Sequence, residues 1–432
     1  MKYYLAIDLG ATSGRHIIGY NEDGKIVLKE IHRFITQMDN SSEGLVWDLD
    51  RIFKDIKEGI KIAFSKYPQI ESLAIDTWGV DYVLMNNDLE IKPYYAYRND
   101  RCNKVASLVH NIISFKDIYK HTGIQYASFN TIYQLYDDLN KGRLDNATDY
   151  LMLPSYFSYK LTGIKTHEYT DESTTSLLNP FNNDYDYSLI DKLGLPKKLF
   201  GKINNPGDIV AELLPSIQEE VGGNTKVILC ASHDTASAYE AVEADSDTVI
   251  ISSGTWSLLG IKSKEPIINE LAYNANYTNE GGVGYIRFLK NIMGMYLLNK
   301  VKDELGLDFD YINENINKSQ YCYTFDVNDA SLNNPSSMRR AILDLLKDNK
   351  PESDIDLISS IYHSLALCYK EAILELESIN NKVYKKILIV GGGAKSTFLN
   401  DLVKKYTNKE VIGMPIEATS LGNIKLQMKA SK

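Results

Sequence analysis

One local pattern opens this chain and returns near its middle, and no other feature constrains the fold as much. Residues 3–9 form a β-rich apolar run, 10–14 a turn rich in glycine and hydroxyls, and 15–20 a second run. A turn at 21–25 and a third run at 26–34 complete a three-stranded meander. The first two members recur as the run 247–252, the polar turn Ser253-Gly254-Thr255 and the run 256–261. Behind the first hairpin, Ile52, Phe53, Ile56, Ile60, Ala63 and Phe64 fall at helical spacing within 48–67, and 70–75 reads as a strand ending at Asp76. Behind the second, a helix over 357–376 precedes a strand at 386–390 and the turn Gly391-Gly392-Gly393. Strands interleaved with helices predict an α/β layer architecture. Two related halves explain the recurrence, and so does chance likeness between two short hairpins.

At 432 residues the chain has room for two cores. A boundary at 240–246 gives an N-terminal domain over 1–243 and a C-terminal domain over 244–432. Between the hairpins, 313–337 is rich in Asn, Asp and Ser and reads as a surface loop. An apolar share of 44% and a charged share of 24% favour neither disorder nor a fibrous repeat. The formal net charge of −10 argues against a nucleic-acid binder, which needs a basic face. Phosphate recognition must then be local, through backbone N–H groups, a few side chains and a metal ion, for which magnesium is the natural choice. Cys102, Cys230, Cys322 and Cys368 are widely spaced without a C-x-x-C pair, which leaves free thiols. Asp8 cuts the first apolar run, and no run reaches the ~18 apolar residues of a membrane span. The expectation is a cytoplasmic protein that does not bind membranes.

Five segments carry candidate chemistry. Asp8-Leu9-Gly10-Ala11-Thr12-Ser13-Gly14-Arg15 sets an acid at a strand end before a turn whose glycines let the backbone approach an anion. An ordinary hairpin turn fits it equally, and the G-x-x-x-x-G-K-[ST] loop is absent. Ser253-Gly254-Thr255 and the triple glycine offer similar turns in the second half, the latter suited to packing bare backbone against adenosine. Ser232-His233-Asp234-Thr235 follows an apolar run at 226–231, where sheets of this class place their sites. An aspartate there can orient a hydroxyl and accept its proton, or it can cap a helix. Asp76-Thr77-Trp78-Gly79-Val80-Asp81-Tyr82 crowds acids around an aromatic ring, which suits a polyol, and also describes a core Trp with turn acids.

Together and in this order the segments resemble the FGGY carbohydrate kinases, and among them the rhamnulokinase branch. Further matching stretches are Gly123-Ile124-Gln125, Asn130-Thr131-Ile132-Tyr133-Gln134-Leu135, Ser173-Thr174-Thr175, Leu289-Lys290-Asn291-Ile292-Met293-Gly294 and Glu417-Ala418-Thr419-Ser420-Leu421-Gly422-Asn423. The resemblance implies two actin-like, ribonuclease-H-type domains with the active site in the cleft between them. It implies transfer of phosphate from ATP to L-rhamnulose, giving L-rhamnulose 1-phosphate, with Asp234 as the base for the O1 hydroxyl. It implies sugar contacts from Gly79, His233, Asp234, Thr235 and Asn291. Nucleotide contacts fall on Ala11, Thr12, Ser13, Gly14, Arg15, Thr255, Gly391, Gly392 and Gly393, and Asp8 faces Mg2+ through water. Asn299 takes a nucleotide position where the family usually has Gln, and the chain ends soon after Asn423; both bear on nucleotide affinity. A monomer or homodimer acting on a small ketose is expected. Alternatives are a kinase for fuculose, xylulose or ribulose, and an actin-like ATPase or binding module that phosphorylates no sugar.

Overall fold

Strand β1 (Tyr3–Leu9) forms because its residues alternate between two apolar layers. Leu5, Ile7 and Leu9 enter one core cluster, whereas Tyr4 and Ala6 pack with Ile424 on the opposite face. β2 (Ser13–Glu22) and β3 (Lys25–Ile35) continue it as an antiparallel meander, and β4 (Ile70–Thr77) lies parallel to β1. With β5 (Ile209–Glu212) and β6 (Lys226–Ile228) they make a sheet of order β5-β6-β4-β1-β2-β3.

The expected helix over 48–67 is α1 (Leu49–Lys66), started by Asp48, whose carboxylate accepts from the Arg51 N–H at 3.0 Å. Its Ile52, Ile56 and Ile60 bury against β1 and β4 in the same cluster. α2 (Asp234–Ala241) and the C-terminal helix Ala418–Ala430 belong to the other layer. They approach so closely that a Cβ on Gly422 would lie 1.8 Å from the Ser237 carbonyl oxygen.

The computed structural model describes residues 1–414 and 417–432, and these divide into two units. Unit 1 is Met1–Val242 with Ser263–Arg287 and Ala418–Lys432; unit 2 is Glu243–Lys262 with Phe288–Glu417. Where sequence reading cuts the chain once, after residue 243, the path leaves unit 1 and returns to it twice.

Unit 2 holds β7 (Thr248–Ser253), most of β8 (Trp256–Ser263) and of β9 (Ile286–Met293), β10 (Lys386–Val390) and β11 (Glu410–Met414), in the order β9-β8-β7-β10-β11. β7 pairs antiparallel with β8 and parallel with β10, which is parallel to β11. That is the β1, β2, β4, β6 arrangement again, so the recurrence in the sequence is topological and not a chance likeness of two turns. α3 (Tyr296–Leu305), α4 (Asp354–Asn380) and α5 (Thr397–Thr407) belong to this unit, and α4 buries Ile358, Ile361, Leu365 and Ile373. All four cysteines are free, and among the described residues no helix is long and apolar enough to cross a membrane.

Candidate active site

Strand register brings the acids of unit 1 together. Asp8 is level with Asp76 across the parallel β1–β4 ladder and with Arg15 across the β1–β2 hairpin. One residue further on, Thr77 bridges to His233, and its N–H donates to the Ser232 carbonyl at 2.9 Å. The carboxyl ends of three neighbouring segments thus carry Asp8, Asp76 and Asp234, the usual place for a site in such a sheet.

Asp8 receives the Arg15 guanidinium at 2.5 Å and the Ser420 hydroxyl at 3.3 Å. Asp76 is completely buried; its Oδ2 accepts from the Asn423 amide at 2.5 Å, and its Oδ1 has no hydrogen-bond partner among the described residues. Burial, reinforced by the Asp8 and Asp234 carboxylates, raises the Asp76 carboxyl well above the usual range, against the bond from Asn423. Two adjacent carboxyls with one oxygen unpartnered form a hard-oxygen donor set suited to Mg2+ that keeps several waters. Among the described residues no group of three such side chains is placed to hold a metal unaided.

Asp234 is the first residue of α2, and the helix is capped from His233 without a side-chain bond, so the Asp234 carboxylate is not spent as a cap. It is the most exposed acid of the group, 34% accessible, and its Oδ1 accepts from the Thr235 hydroxyl at 3.0 Å. His233 Nδ1 faces the Arg287 guanidinium at 3.1 Å, and Nε2 lies 3.4 Å from Asp234. Arg287 can only donate, so in the tautomer in which Nδ1 accepts from it the ring's own N–H is Nε2–H, facing Asp234; the Glu280 carboxylate, 3.5 Å from Nδ1, favours the other tautomer. Arg287 is fully buried and is itself held by Glu280 at 3.1 Å and the Gly281 carbonyl at 2.7 Å.

The Trp78 loop differs from expectation. Trp78 is only 7% exposed and packs on Trp47 with ring centroids 4.3 Å apart, as a core Trp does. Asp81 is not a solvated turn acid. Its Oδ2 accepts from the Trp47 indole at 2.7 Å, the Trp78 indole at 2.9 Å and the Tyr97 N–H at 3.1 Å. Burial pushes its pKa up to about 6 despite those bonds. Gly79 is buried under Thr174, whose Oγ1 would lie 2.9 Å from an added Cβ and accepts from the Val80 N–H at 3.2 Å.

The first turn is tighter than residues 10–14. The Gly10 N–H donates to the Ser13 carbonyl at 3.0 Å, leaving Ala11 and Thr12 at the tip and Ser13, Gly14 and Arg15 on β2. Gly14 makes room for the Phe34 ring, 2.3 Å from where a Cβ would be. In unit 2, Gly391 adopts φ +83°, open to glycine at little cost, and a Cβ on Gly393 would lie 2.0 Å from the Ser253 hydroxyl. The triple glycine therefore lies against the Ser253-Gly254-Thr255 turn. Carbonyls of Gly254 and Thr255 accept from Met295 at 2.9 Å and Gly294 at 3.1 Å, tying the turn to the start of α3. Asn299 is exposed on α3, and a pocket of about 380 Å³ is lined by other residues of that helix, Tyr296, Lys300 and Glu304. Asn291 is half-buried on β9.

Structure also supplies groups that motif reading passes over. Ser420 and Asn423 reach Asp8 and Asp76 from the far end of the chain. Glu168, Asp171 and Glu172, on or beside the short turn Tyr169–Glu172, are fully buried next to His233 and resemble, in sequence, any solvated acidic stretch.

Comparison with known proteins fits this geometry. Residues 3–239 match the N-terminal domain, and residues 249–431 the C-terminal domain, of the FGGY family of carbohydrate kinases. The rhamnulokinase of Oceanobacillus iheyensis is 39% identical over 99% of this chain and 93% of its own length. That of Halalkalibacterium halodurans is also 39% identical, over 100% of this chain and 94% of its own. A xylulose kinase from Lactobacillus acidophilus superposes with a TM-score of 0.83 over 100% of this chain and 89% of its own, at 18% identity. Plasmodium falciparum glycerol kinase gives 0.78 over 100% and 90%, at 15% identity. These two likenesses speak to the fold alone, which is the two-domain, actin-like α/β arrangement. With both domain matches spanning nearly the whole chain and full-length relatives at 39% identity, this protein belongs to the FGGY family of carbohydrate kinases.

Proposed function

We propose that this protein phosphorylates L-rhamnulose at O1 at the expense of ATP, with Asp234 as the base. The observation that carries the reading is the state of Asp234: a carboxylate at a sheet end, half-buried, not consumed as a helix cap, and oriented by Thr235 and His233. In the step, the O1–H proton passes to Asp234 as O1 bonds to the γ-phosphorus and the bond to the ADP oxygen breaks. Proton acceptance of this kind contributes about 10²- to 10⁴-fold. Rhamnulokinases 35–39% identical over nearly the full length support L-rhamnulose as the ketose.

His233, Thr235, Gly79 and Asn291 are assigned to the sugar. The turn at Ala11 and Thr12, with Ser13, Gly14 and Arg15, and the turns at Thr255 and Gly391 to Gly393, with Asn299, are assigned to the nucleotide. Asp8 and Asp76 are assigned to water-bridged Mg2+, which when bound supplies charge neutralisation at the phosphates.

An ADP-release assay across rhamnulose, fuculose, xylulose and ribulose, with identification of the sugar phosphate, tests the reading. Rhamnulose is expected to have the highest kcat/KM. Asp234→Asn is expected to lose at least about 10²-fold in kcat while ADP and sugar still bind. Wild-type turnover in that variant rules out the base.

A further inference from the structure

One buried acid near Asp234 has no place in the chemistry so far. Asp171 is fully buried, and neither of its carboxyl oxygens has a hydrogen-bond partner among the described residues. Its neighbours are all engaged. Glu168 accepts from the Thr170 N–H at 2.9 Å, the Thr170 hydroxyl at 2.7 Å and the Ser232 N–H at 3.1 Å. Glu172 accepts from the Tyr150 hydroxyl and pairs with His167 Nδ1 at 2.8 Å. Buried polar groups are almost always paired, so a bare carboxyl amid satisfied ones calls for a partner that is absent from the free protein.

Its position says what the partner is. On one side the Tyr169–Glu172 turn is tied to the segment that carries Asp234, through Glu168 to the Ser232 N–H and through Thr170 Oγ1 to the His233 N–H at 3.3 Å. On the other, the Asp171 carbonyl accepts at 2.8 Å from Thr174, the residue that covers Gly79. Asp171 thus lies between the base and the Gly79 loop, the two segments assigned to the sugar. We propose that Asp171 is a substrate-contacting residue whose carboxyl oxygens hydrogen-bond hydroxyl groups of the ketose other than the one that reacts. Adjacent sugar hydroxyls each donate and accept, which suits a carboxyl group in either protonation state. Burial, followed by the Glu168, Glu172 and Asp234 charges, raises the Asp171 carboxyl well above the usual range, which supplies a donor as well as an acceptor. The inference rests on the ketose kinase reading above.

The test uses the full chain, with Asp171→Ala, which removes both oxygens without overpacking, and Asp171→Asn, which keeps a donor and an acceptor. Three quantities are read: kcat/KM for the ketose the wild type prefers, ADP affinity by calorimetry without sugar, and Tm. The alanine variant is expected to lose about 10²-fold or more in kcat/KM, because a site built around substrate hydroxyls discriminates strongly. Its ADP affinity and Tm stay at wild-type values, since no bond of the free protein is removed, and Asp171→Asn recovers most of the loss. Unchanged kcat/KM in Asp171→Ala overturns the inference, as does a Tm loss that accompanies the activity loss, which marks a structural role. A wild type inactive on every ketose overturns the functional reading and this inference together; an active wild type beside an unaffected variant overturns the inference alone.

Discussion

Replacing Asp81 by Asn should flatten the stability of this protein between pH 4 and pH 7. Asp81 is completely buried, and burial raises its pKa from 3.8 to about 6, with the bonds from Trp47, Trp78, Tyr97 and Gln134 opposing. A carboxyl whose folded pKa exceeds its unfolded value stabilises most at low pH. That contribution is complete below about pH 4 and is lost as pH rises through about 6. A shift of ~2 units at ~1.4 kcal/mol each gives a loss of ~3 kcal/mol across the window. Asn keeps most of the bonds of the protonated acid: its carbonyl can take the place of Oδ2, keeping the three N–H donors at 2.7, 2.9 and 3.1 Å, while its NH2 in place of Oδ1 gives up the bond from the Gln134 amide at 3.4 Å at every pH alike. Urea unfolding at pH 4, 5, 6 and 7 of both proteins gives the difference directly, with every other titrating group cancelling. The wild type should lose ~3 kcal/mol more than Asp81→Asn on going from pH 4 to 7. Parallel curves would refute the reasoning, because they mean that Asp81 titrates as an ordinary surface acid. Asp81→Leu, by contrast, strands three buried donors at ~1–3 kcal/mol each and should fold poorly at any pH.

Two further outcomes follow from close contacts. Gly393→Ala drives a methyl group to 2.0 Å from the Ser253 hydroxyl and should raise KM for ATP several-fold with little change for the sugar; Ser253→Ala in the same protein should restore part of the loss. His16 has the opposite sign to Asp81: burial, then the nearby His32, lowers its pKa to about 3, so its contribution is complete above about pH 6.5 and is lost as pH falls. His16→Leu should therefore lose ~2 kcal/mol less than wild type between pH 6.5 and 5 in the same urea experiment, and equal losses in the two proteins count against the buried neutral ring.

The strands and long helices were legible because period-2 and period-3.6 patterns act over neighbouring residues, and 3–9 and 386–390 fold with the expected ends. The Asp234 segment was found by its place after a buried run, although its local sequence could not separate a cap from a base. The Trp78 loop stayed ambiguous in the sequence because an indole and a carboxylate next to each other suit a ligand or a core equally well. What separated them was Trp47, some thirty positions upstream, tilted against Trp78 and donating to the same oxygen of Asp81. The bond from Asn423 to Asp76 and the bare carboxyl of Asp171 were not legible for a similar reason. Their partners, or the want of them, are set by contacts between residues far apart in the chain, which no local pattern records.

The C-terminal helix has a consequence for how the chain reaches its fold. Gln427 bonds the Ser72 hydroxyl at 2.6 Å and the Leu5 carbonyl at 3.0 Å, Asn423 bonds Asp76, and Ile424 fills the face of β1 opposite α1. Synthesis makes β1 first and this helix after all of unit 2. Until then Tyr4 and Ala6 lack Ile424, and Ala74 lacks Leu426, so the nascent first half presents part of an apolar sheet surface to its surroundings. Order of translation and order of folding are therefore opposed: the unit begun first is finished last, by closure of a loop that contains the whole of unit 2.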